Sequence, residues 1–277
     1  MALVKKGFDK LVFDVGAHKG DDIAVYLSLG FRVVAIEANP ELIPLLQKRF
    51  NKELDNERLV ILNYAIGPQN NIETKLYVNE DTSKSSLFGK QELKSVPVFT
   101  KTLASLIEDF GVPHYCKIDI EGADLFALDS LNESIAPSYI SVEISGDHIN
   151  AILDDPKILF YTLDRLYSLG YTRFKLVDQE RLVVLANDSF YKQNLQPLQR
   201  VNNKVRTLLG LDRRSRFLKK FNLEKDAEVS GLPSELLEKK WVAYQEVKRL
   251  AQFHFKEFAS VVRSSNLIFW VDLHATK

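Results

Sequence analysis

Between residues 11 and 41 the chain reads LVFDVGAHKGDDIAVYLSLGFRVVAIEANPE: an apolar run carrying an acid, a glycine turn, an amphipathic stretch and a second apolar run ending in an acid. Leu11 to Val15 has the character of a buried strand. Gly16 and Gly20 bracket a turn where backbone must approach something closely, and Asp22 to Leu29 has the spacing of the following helix. Val33 to Ile36 supplies the next strand, and Glu37 stands at its carboxyl end, 21 residues after Gly16. In a doubly wound sheet a carboxylate there can accept both hydroxyls of a ribose. This arrangement predicts half of a nucleotide-cofactor site, although a strand, turn and helix without a ligand can show the same spacing.

The glycines decide which cofactor. A dinucleotide site needs G-x-G-x-x-G, whose middle glycine lets a pyrophosphate sit on the helix N-terminus. Here the loop is Gly16-Ala17-His18-Lys19-Gly20, without the middle glycine, and Asp14, Asp21 and Asp22 surround it. Three acids repel a pyrophosphate and suit an ammonium. S-adenosylmethionine carries both an ammonium and a ribose. On the ribose role, Glu37→Ala should weaken cofactor binding and leave the free fold untouched.

The segments DVGAHKGDD, VVAIEANPEL, NYAIG at 63–67, KIDIEGAD at 117–124 and ISVEIS at 140–145 resemble, in order and spacing, the FkbM family of S-adenosylmethionine-dependent methyltransferases. The resemblance covers about residues 11–178. It implies a doubly wound, mostly parallel α/β sheet of the Rossmann-like class I methyltransferase type. It also implies that Asp14, Gly16, Ala17 and Glu37 hold the cofactor, with Gly20 closing the loop and Ala38 following the acid. By the same resemblance Asn63 and Ala65 lie beside the adenine and Asp119 faces the methyl group. The family usually has Asn where His18 stands and Pro where Ala38 stands.

Composition fits an enzyme with an extension. A chain of 277 residues with 45% hydrophobic content exceeds the roughly 150 to 200 residues that such a core needs. With 37 basic and 37 acidic residues the net charge is zero, which argues against nucleic acid as a partner, since that binding needs a positive field. The single cysteine, Cys116, excludes a disulfide framework and a thiolate zinc site. The first residues, MALVKKGFDK, lack the apolar core of a signal peptide, and no apolar run approaches the length of a membrane span. A cytoplasmic location is expected, and homo-oligomerisation stays open.

Strands are expected near 11–15, 33–37, 59–64, 115–120 and 139–144, with helices near 21–29, 40–51, 101–110, 122–131 and 157–169. Such alternation builds a parallel sheet with helices on both faces. Residues 72–100 look like two short extended pieces around the polar turn DTSKSSLFGK, either a solvent loop or a lid over the cofactor end. Tyr171 to Val177 and Arg181 to Ala186 look like a hairpin that would close the sheet antiparallel, and Leu267 to Leu273 competes for the last strand. In between, Leu236, Trp241, Tyr244, Val247, Ala251, Phe255, Phe258 and Val262 recur at helical spacing, and Pro233 suits a helix start. The expected organisation is therefore a core over 1–190, a helical insertion or cap over 191–265 and a final core strand in 266–277.

In KIDIEGAD, Lys117 and Asp119 share one face of what should be a central strand, where a lysine is costly unless paired. Glu143 or Asp119 is the expected partner, in a structural pair or in a device that aligns the acceptor. Methyl transfer from a sulfonium needs positioning of both reactants and removal of a proton. The candidate catalytic residues are strand-end groups: Asp119, Glu121, Glu143 and, in the loop after the fifth strand, His148. Glu121 also suits the dipole of the helix that follows, and His148 also suits a solvent role. Asp119 and Glu143 could hold a divalent cation, but without fixed short spacing no metal is assigned. Segment 200–228 holds nine basic and four acidic residues, an amphipathic helical face or a reader of a phosphorylated acceptor. The resemblance implies O-methylation of a hydroxyl on a sugar or secondary metabolite, so a small molecule or glycan is the expected partner. An N-methyltransferase and a non-catalytic nucleotide-binding or assembly protein on the same fold are the alternatives.

Overall fold

The computed structural model describes residues 10–78, 85–88, 94–144, 157–179, 182–185, 212–237, 240–262 and 271–277. The strands of the main sheet are β1 (Leu11–Val15), β2 (Arg32–Ile36), β3 (Leu59–Leu62), β7 (Tyr115–Ile118), β8 (Tyr139–Glu143), β9 (Arg173–Asp178), β10 (Val183–Val184), β11 (Val242–Ala243) and β12 (Val271–Thr276). Their spatial order is β10-β9-β12-β8-β7-β1-β2-β3, with β11 also on β9. β3, β2, β1, β7 and β8 run parallel to their neighbours. β12 runs antiparallel between β8 and β9. The hairpin and its competitor are thus both in the sheet: β10 pairs with the outer edge of β9, and β12 takes the inner edge.

Strict alternation along these strands makes two faces. Phe13, Val15, Val34, Ile36, Cys116, Ile118, Ile140, Val142, Leu176 and Leu273 form one core. It is covered by α4 (Leu103–Phe110), α5 (Asp124–Ser130), α6 (Lys157–Ser168) and α8 (Tyr244–Val262), the last of which contributes Val247 and Ala251. The opposite face presents Val12, Val33, Ala35 and Tyr115 to α1 (Asp21–Ser28), α2 (Ile43–Arg49) and a C-terminal segment that includes α7 (Arg213–Lys220). α3 (Asn51–Asp55) follows α2 directly.

The expected helix from Pro233 onward begins only at Tyr244. Ser234–Leu236 is a single tight turn and Val242–Ala243 pairs with β9. The reason is that residues 230–237 commit polar groups to the sheet face. Ser230 N donates to Asp22 (3.0 Å), Ser234 Oγ meets His274 Nδ1 (2.7 Å), and Leu237 O accepts from Lys175 Nζ (2.8 Å). A helix from Pro233 would withdraw the Leu237 carbonyl into its own hydrogen bonds.

A second sheet is formed by β4 (Ala65–Ile66), β6 (Lys94–Lys101) and β5 (Glu73–Val78). β5 and β6 are an antiparallel hairpin whose Leu76, Val78 and Val98 pack with Ala65. The hairpin stands beyond the carboxyl ends of the parallel strands, and of the polar turn expected to be either loop or lid the described residues 85–88 are brought over those strand ends.

Candidate active site

The turn after β1 is shaped by close approach. Gly16 N and Ala17 N both donate to Ile36 O (2.9 and 3.1 Å), and an added Cβ on Gly16 would meet the Asp119 carbonyl oxygen at 1.8 Å. Gly20 answers to packing: its φ is +84°, and a side chain there would strike Phe50 and Leu46. His18 sits at φ +45°, a left-handed conformation that Asn and His tolerate better than most residues. Its ring pairs with Glu228 (3.1 Å).

Glu37 is held on both oxygens. Oε2 accepts from His18 N and Oε1 from Asn39 N, each at 2.7 Å. Burial pushes its carboxyl above the usual range and these two N–H groups oppose the shift. The Asn63 amide donates to Glu37 O (2.9 Å) and Ala38 O (3.1 Å), so Asn63 fixes the backbone after β2.

Register places a polar row across the sheet on the α1 face: Asp14, Lys117, Ser141, His274 and Lys175 stand side by side on β1, β7, β8, β12 and β9. All five are buried. Lys117 Nζ reaches Asp119 (3.2 Å), Asp22 (3.4 Å) and Asp14 (3.7 Å). Glu143 is not among its partners, because Glu143 lies one pleat further on, opposite Asp272. Burial alone would discharge Lys117, yet Asp119, Asp14 and Asp22 outweigh it and hold the ammonium charged well above its usual range. Asp14 is fully buried with neither oxygen hydrogen-bonded, and desolvation pushes its carboxyl up to about 8 against the pull of Lys117. At the far end of the row, burial and Lys175 hold His274 neutral, lowered to about 3.

The acids of the turn are therefore occupied. Asp22 serves Lys117 and the backbone of Ser230, while Asp21 pairs with Arg49 (2.8 Å) and accepts from Glu228 N (3.0 Å). Of the acids around the turn, none lines the cleft; Glu37 and Asp119 do. Asp22, expected to suit a ligand's ammonium, serves that of Lys117 instead, and Asp272 is a structural member of this network that sequence reasoning missed. The signal for Asp272 was an acid set within an otherwise apolar run.

One pleat beyond that row, Glu37, Gly16, Asp119, Glu143 and Asp272 follow one another along the carboxyl edge of the same face. Desolvation raises Glu143 well above the usual carboxylate range, and the charges of Asp119 and Glu121 raise it further. Oxygens of Asp119, Glu121 and Glu143 lie within 4.8 Å of one another, a spacing that sequence could not supply. The turn bearing Glu121 is left-handed at two successive residues, with φ +51° at Glu121 and +98° at Gly122. The Asp124 carboxylate braces it by accepting from Ile120 N (3.2 Å) and Gly122 N (3.1 Å). His148 lies outside the described residues.

The cleft holds about 570 Å³, including the solvent at its mouth. Gly16, His18 and Glu37 form its floor, with Ala38 beside them. Tyr64, Ala65, Ile66 and Leu76 form an apolar wall, and Ser85, Ser86 and Leu87 a roof. Asp119, Ile120, Glu121 and Ala123 close the end toward β8. Ala17 is buried behind the turn among the core side chains. Sequence reasoning had Ser85 and Ser86 as loop or lid but did not place Tyr64 or Leu76 here.

No helix among the described residues is long and apolar enough to cross a membrane. No curated protein sequence matches the chain. Among solved structures, the FkbM methyltransferase of Methylobacillus flagellatus shares 20% identity over 63% of this chain and 41% of its own, with a TM-score of 0.43. The chain thus spans about two-fifths of that protein's length. Precorrin-6y C5,15-methyltransferase of Geobacter metallireducens shares 14% identity over 66% of this chain and 77% of its own, with a TM-score of 0.36. Phosphoethanolamine N-methyltransferase 2 of Haemonchus contortus, solved with S-adenosyl-L-methionine, shares 9% identity over 99% of this chain and 50% of its own, with a TM-score of 0.39. The family model of the methyltransferase FkbM domain matches residues 14–171, from the acid of β1 to the start of β9, and this chain belongs to that family.

Proposed function

We propose that the cleft binds S-adenosylmethionine and that the chain methylates a hydroxyl of a sugar or similar small metabolite. The observation that carries this reading is the placement of Glu37, Asp119 and Glu143 along one carboxyl edge, with the glycine turn between the first two. The side chains present fit the cofactor. Glu37 keeps lone pairs beyond its two backbone contacts for ribose hydroxyls, and Asn63 acts by holding that backbone. Ile36, Ala65, Ile66, Leu76 and Leu87 offer an apolar slot for a base. Asp14 and Lys117 lie beneath the turn and act through their field. The bound cofactor supplies the electrophilic methyl group.

Asp119, Glu121 and Glu143 then face the acceptor. Glu143 is the proposed proton acceptor: burial and the charges of Asp119 and Glu121 raise its carboxyl well above the usual range, so it must first release its own proton, and transfer is expected to rise with pH. Asp119 lies 3.2 Å from the Lys117 ammonium and is held by it at the edge. His148 is the alternative proton acceptor. A second reading, an amine acceptor, is favoured by the surplus of buried acids over Lys117. In the same proposal residues 191–265 are an insertion into a core made of 1–190 and 266–277.

The test is calorimetry with S-adenosylhomocysteine and, separately, NAD, followed by incubation with methyl-labelled S-adenosylmethionine and a panel of sugars and amino sugars. Binding of the first nucleotide alone and a carbon-13 shift of an ether methyl are expected. An amine methyl would replace the hydroxyl acceptor, and binding of NAD instead would overturn the cofactor.

A further inference from the structure

The β5–β6 hairpin reaches the acid cluster through one side chain. Ser86 Oγ donates to the backbone oxygen of Glu121 (2.8 Å) and accepts from Phe88 N (3.1 Å). Ser86 itself is fixed over the cleft, because it and Tyr77 exchange both backbone hydrogen bonds (2.9 and 3.0 Å). Two residues on, the Phe88 ring lies 5.9 Å from that of Phe126 on α5. The roof of the cleft is thereby fastened to the segment that carries Glu121.

That segment needs fastening. A non-glycine residue at φ +51° is a costly backbone that persists only where its surroundings hold it. Asp124 holds it from within α5 through the flanking N–H groups of Ile120 and Gly122. The carbonyl of Glu121 points the other way, and Ser86 is what meets it. Without that brace Glu121 can relax from φ +51° toward the negative φ that L residues prefer, which turns its Cβ and carries the carboxylate away from Asp119 and Glu143. Its loss would also free Ser85, Ser86 and Leu87 from the mouth of the cleft.

We propose that Ser86 is a positioning residue that couples closure of the cleft to placement of Glu121: the same hydroxyl keeps the roof shut and the Glu121 carboxylate beside Asp119 and Glu143. The inference rests on the cofactor reading above for its consequence in binding, but the fastening itself belongs to the free protein. Sequence shows a serine in a polar turn. Only the fold brings it against a peptide 35 residues away.

The experiment compares wild type, Ser86→Ala and Ser86→Thr by amide hydrogen exchange of the free protein and by the dissociation rate of S-adenosylhomocysteine. Ser86→Ala is expected to speed exchange at residues 120–123 and to speed dissociation about tenfold, the loss of roughly one hydrogen bond. Ser86→Thr, which keeps the hydroxyl, restores both. Unchanged exchange at 120–123 in Ser86→Ala overturns the proposal, as does faster exchange spread evenly over the chain with a lower melting temperature, which marks ordinary packing. Should wild type bind no S-adenosylhomocysteine, the cofactor reading fails, and the exchange arm decides the fastening alone.

Discussion

The carbonyl oxygen of Asp119 fills the space in which a side chain at Gly16 would begin, at 1.8 Å from an added Cβ. The first and fourth parallel strands of the chain meet there, and the contact allows the turn after β1 to lie flat against the strand-end acids. Gly111 has a similar φ of +93° with nothing within 4 Å of an added Cβ. Gly111→Ala should therefore cost only its backbone, φ +93° with ψ 160° being a region essentially reserved for glycine, about 1 to 3 kcal/mol, whereas Gly16→Ala should cost clearly more. Denaturant melts of the two variants check this, and equal losses would remove the close approach as the reason for Gly16.

Glu37 serves the fold as well as the cleft. Because its carboxylate accepts from His18 N and Asn39 N, Glu37→Ala strands two backbone donors. The expectation that the free fold would be untouched gives way to a lower melting temperature together with a loss of about 2 to 3 kcal/mol in S-adenosylhomocysteine binding. Glu37→Gln, which retains one acceptor oxygen, should fall between. Calorimetry and thermal melts measure the two losses separately.

Asp14 should make stability depend on pH. Its carboxyl is pushed from 3.8 up to about 8 in the folded protein. Over that window the unfolded chain releases a proton that the folded chain retains, so stability falls as pH rises from about 4 to about 8 and levels off above. Asp14→Asn should flatten part of this slope, with Asp22, Glu143 and Asp272 sustaining the rest. Melting temperatures from pH 4 to pH 9 check it, and identical slopes would mean that Asp14 is charged throughout.

The basic run divides by contact. The Arg214 guanidinium donates to Gln179 O (3.2 Å) and Ala227 O (2.7 Å), stapling the C-terminal segment, while Arg216 is exposed and reaches only its own helix. Arg214→Ala should cost about 1 to 3 kcal/mol through unpaired buried carbonyls and Arg216→Ala nothing measurable. Melting curves decide. A stable Arg214→Ala variant with weakened binding of an anionic acceptor would return this segment to acceptor recognition.

For the chemistry, Glu143→Gln should lower methyl transfer about 10²-fold, with cofactor affinity kept because the glutamine amide can still donate to Asp119 as the Glu143 carboxyl does. Asp119→Asn should weaken the cofactor as well, since it releases Lys117 on one side. Initial rates and dissociation constants of both variants separate the roles, and an active Glu143→Gln variant would move the proton to another group, with His148 first in line.

Much of the core was legible along the chain because strand and helix periodicity is local. β1, α1, β2 and the acid at position 37 follow from residues 11–37, and the FkbM motifs, whose order carries topology, extended that to β8. What the sequence determined ends where a contact depends on register or on distant chain. Lys117 and Glu143 look like neighbours in a list of strands, yet the pleat sets Lys117 opposite Asp14 and Ser141 and leaves Glu143 opposite Asp272. The apolar and aromatic positions from Leu236 to Val262 have helical spacing, but the first part is held by His274 on Ser234, by Lys175 on Leu237 and by the pairing of Val242–Ala243 with β9, and helix formation waits until Tyr244. Ser86 showed only as part of a polar turn, loop or lid, with nothing to name its partner. Its role exists only because an antiparallel hairpin folds back over the strand ends, and a hydrogen bond between two surface turns leaves no periodic trace in either of them.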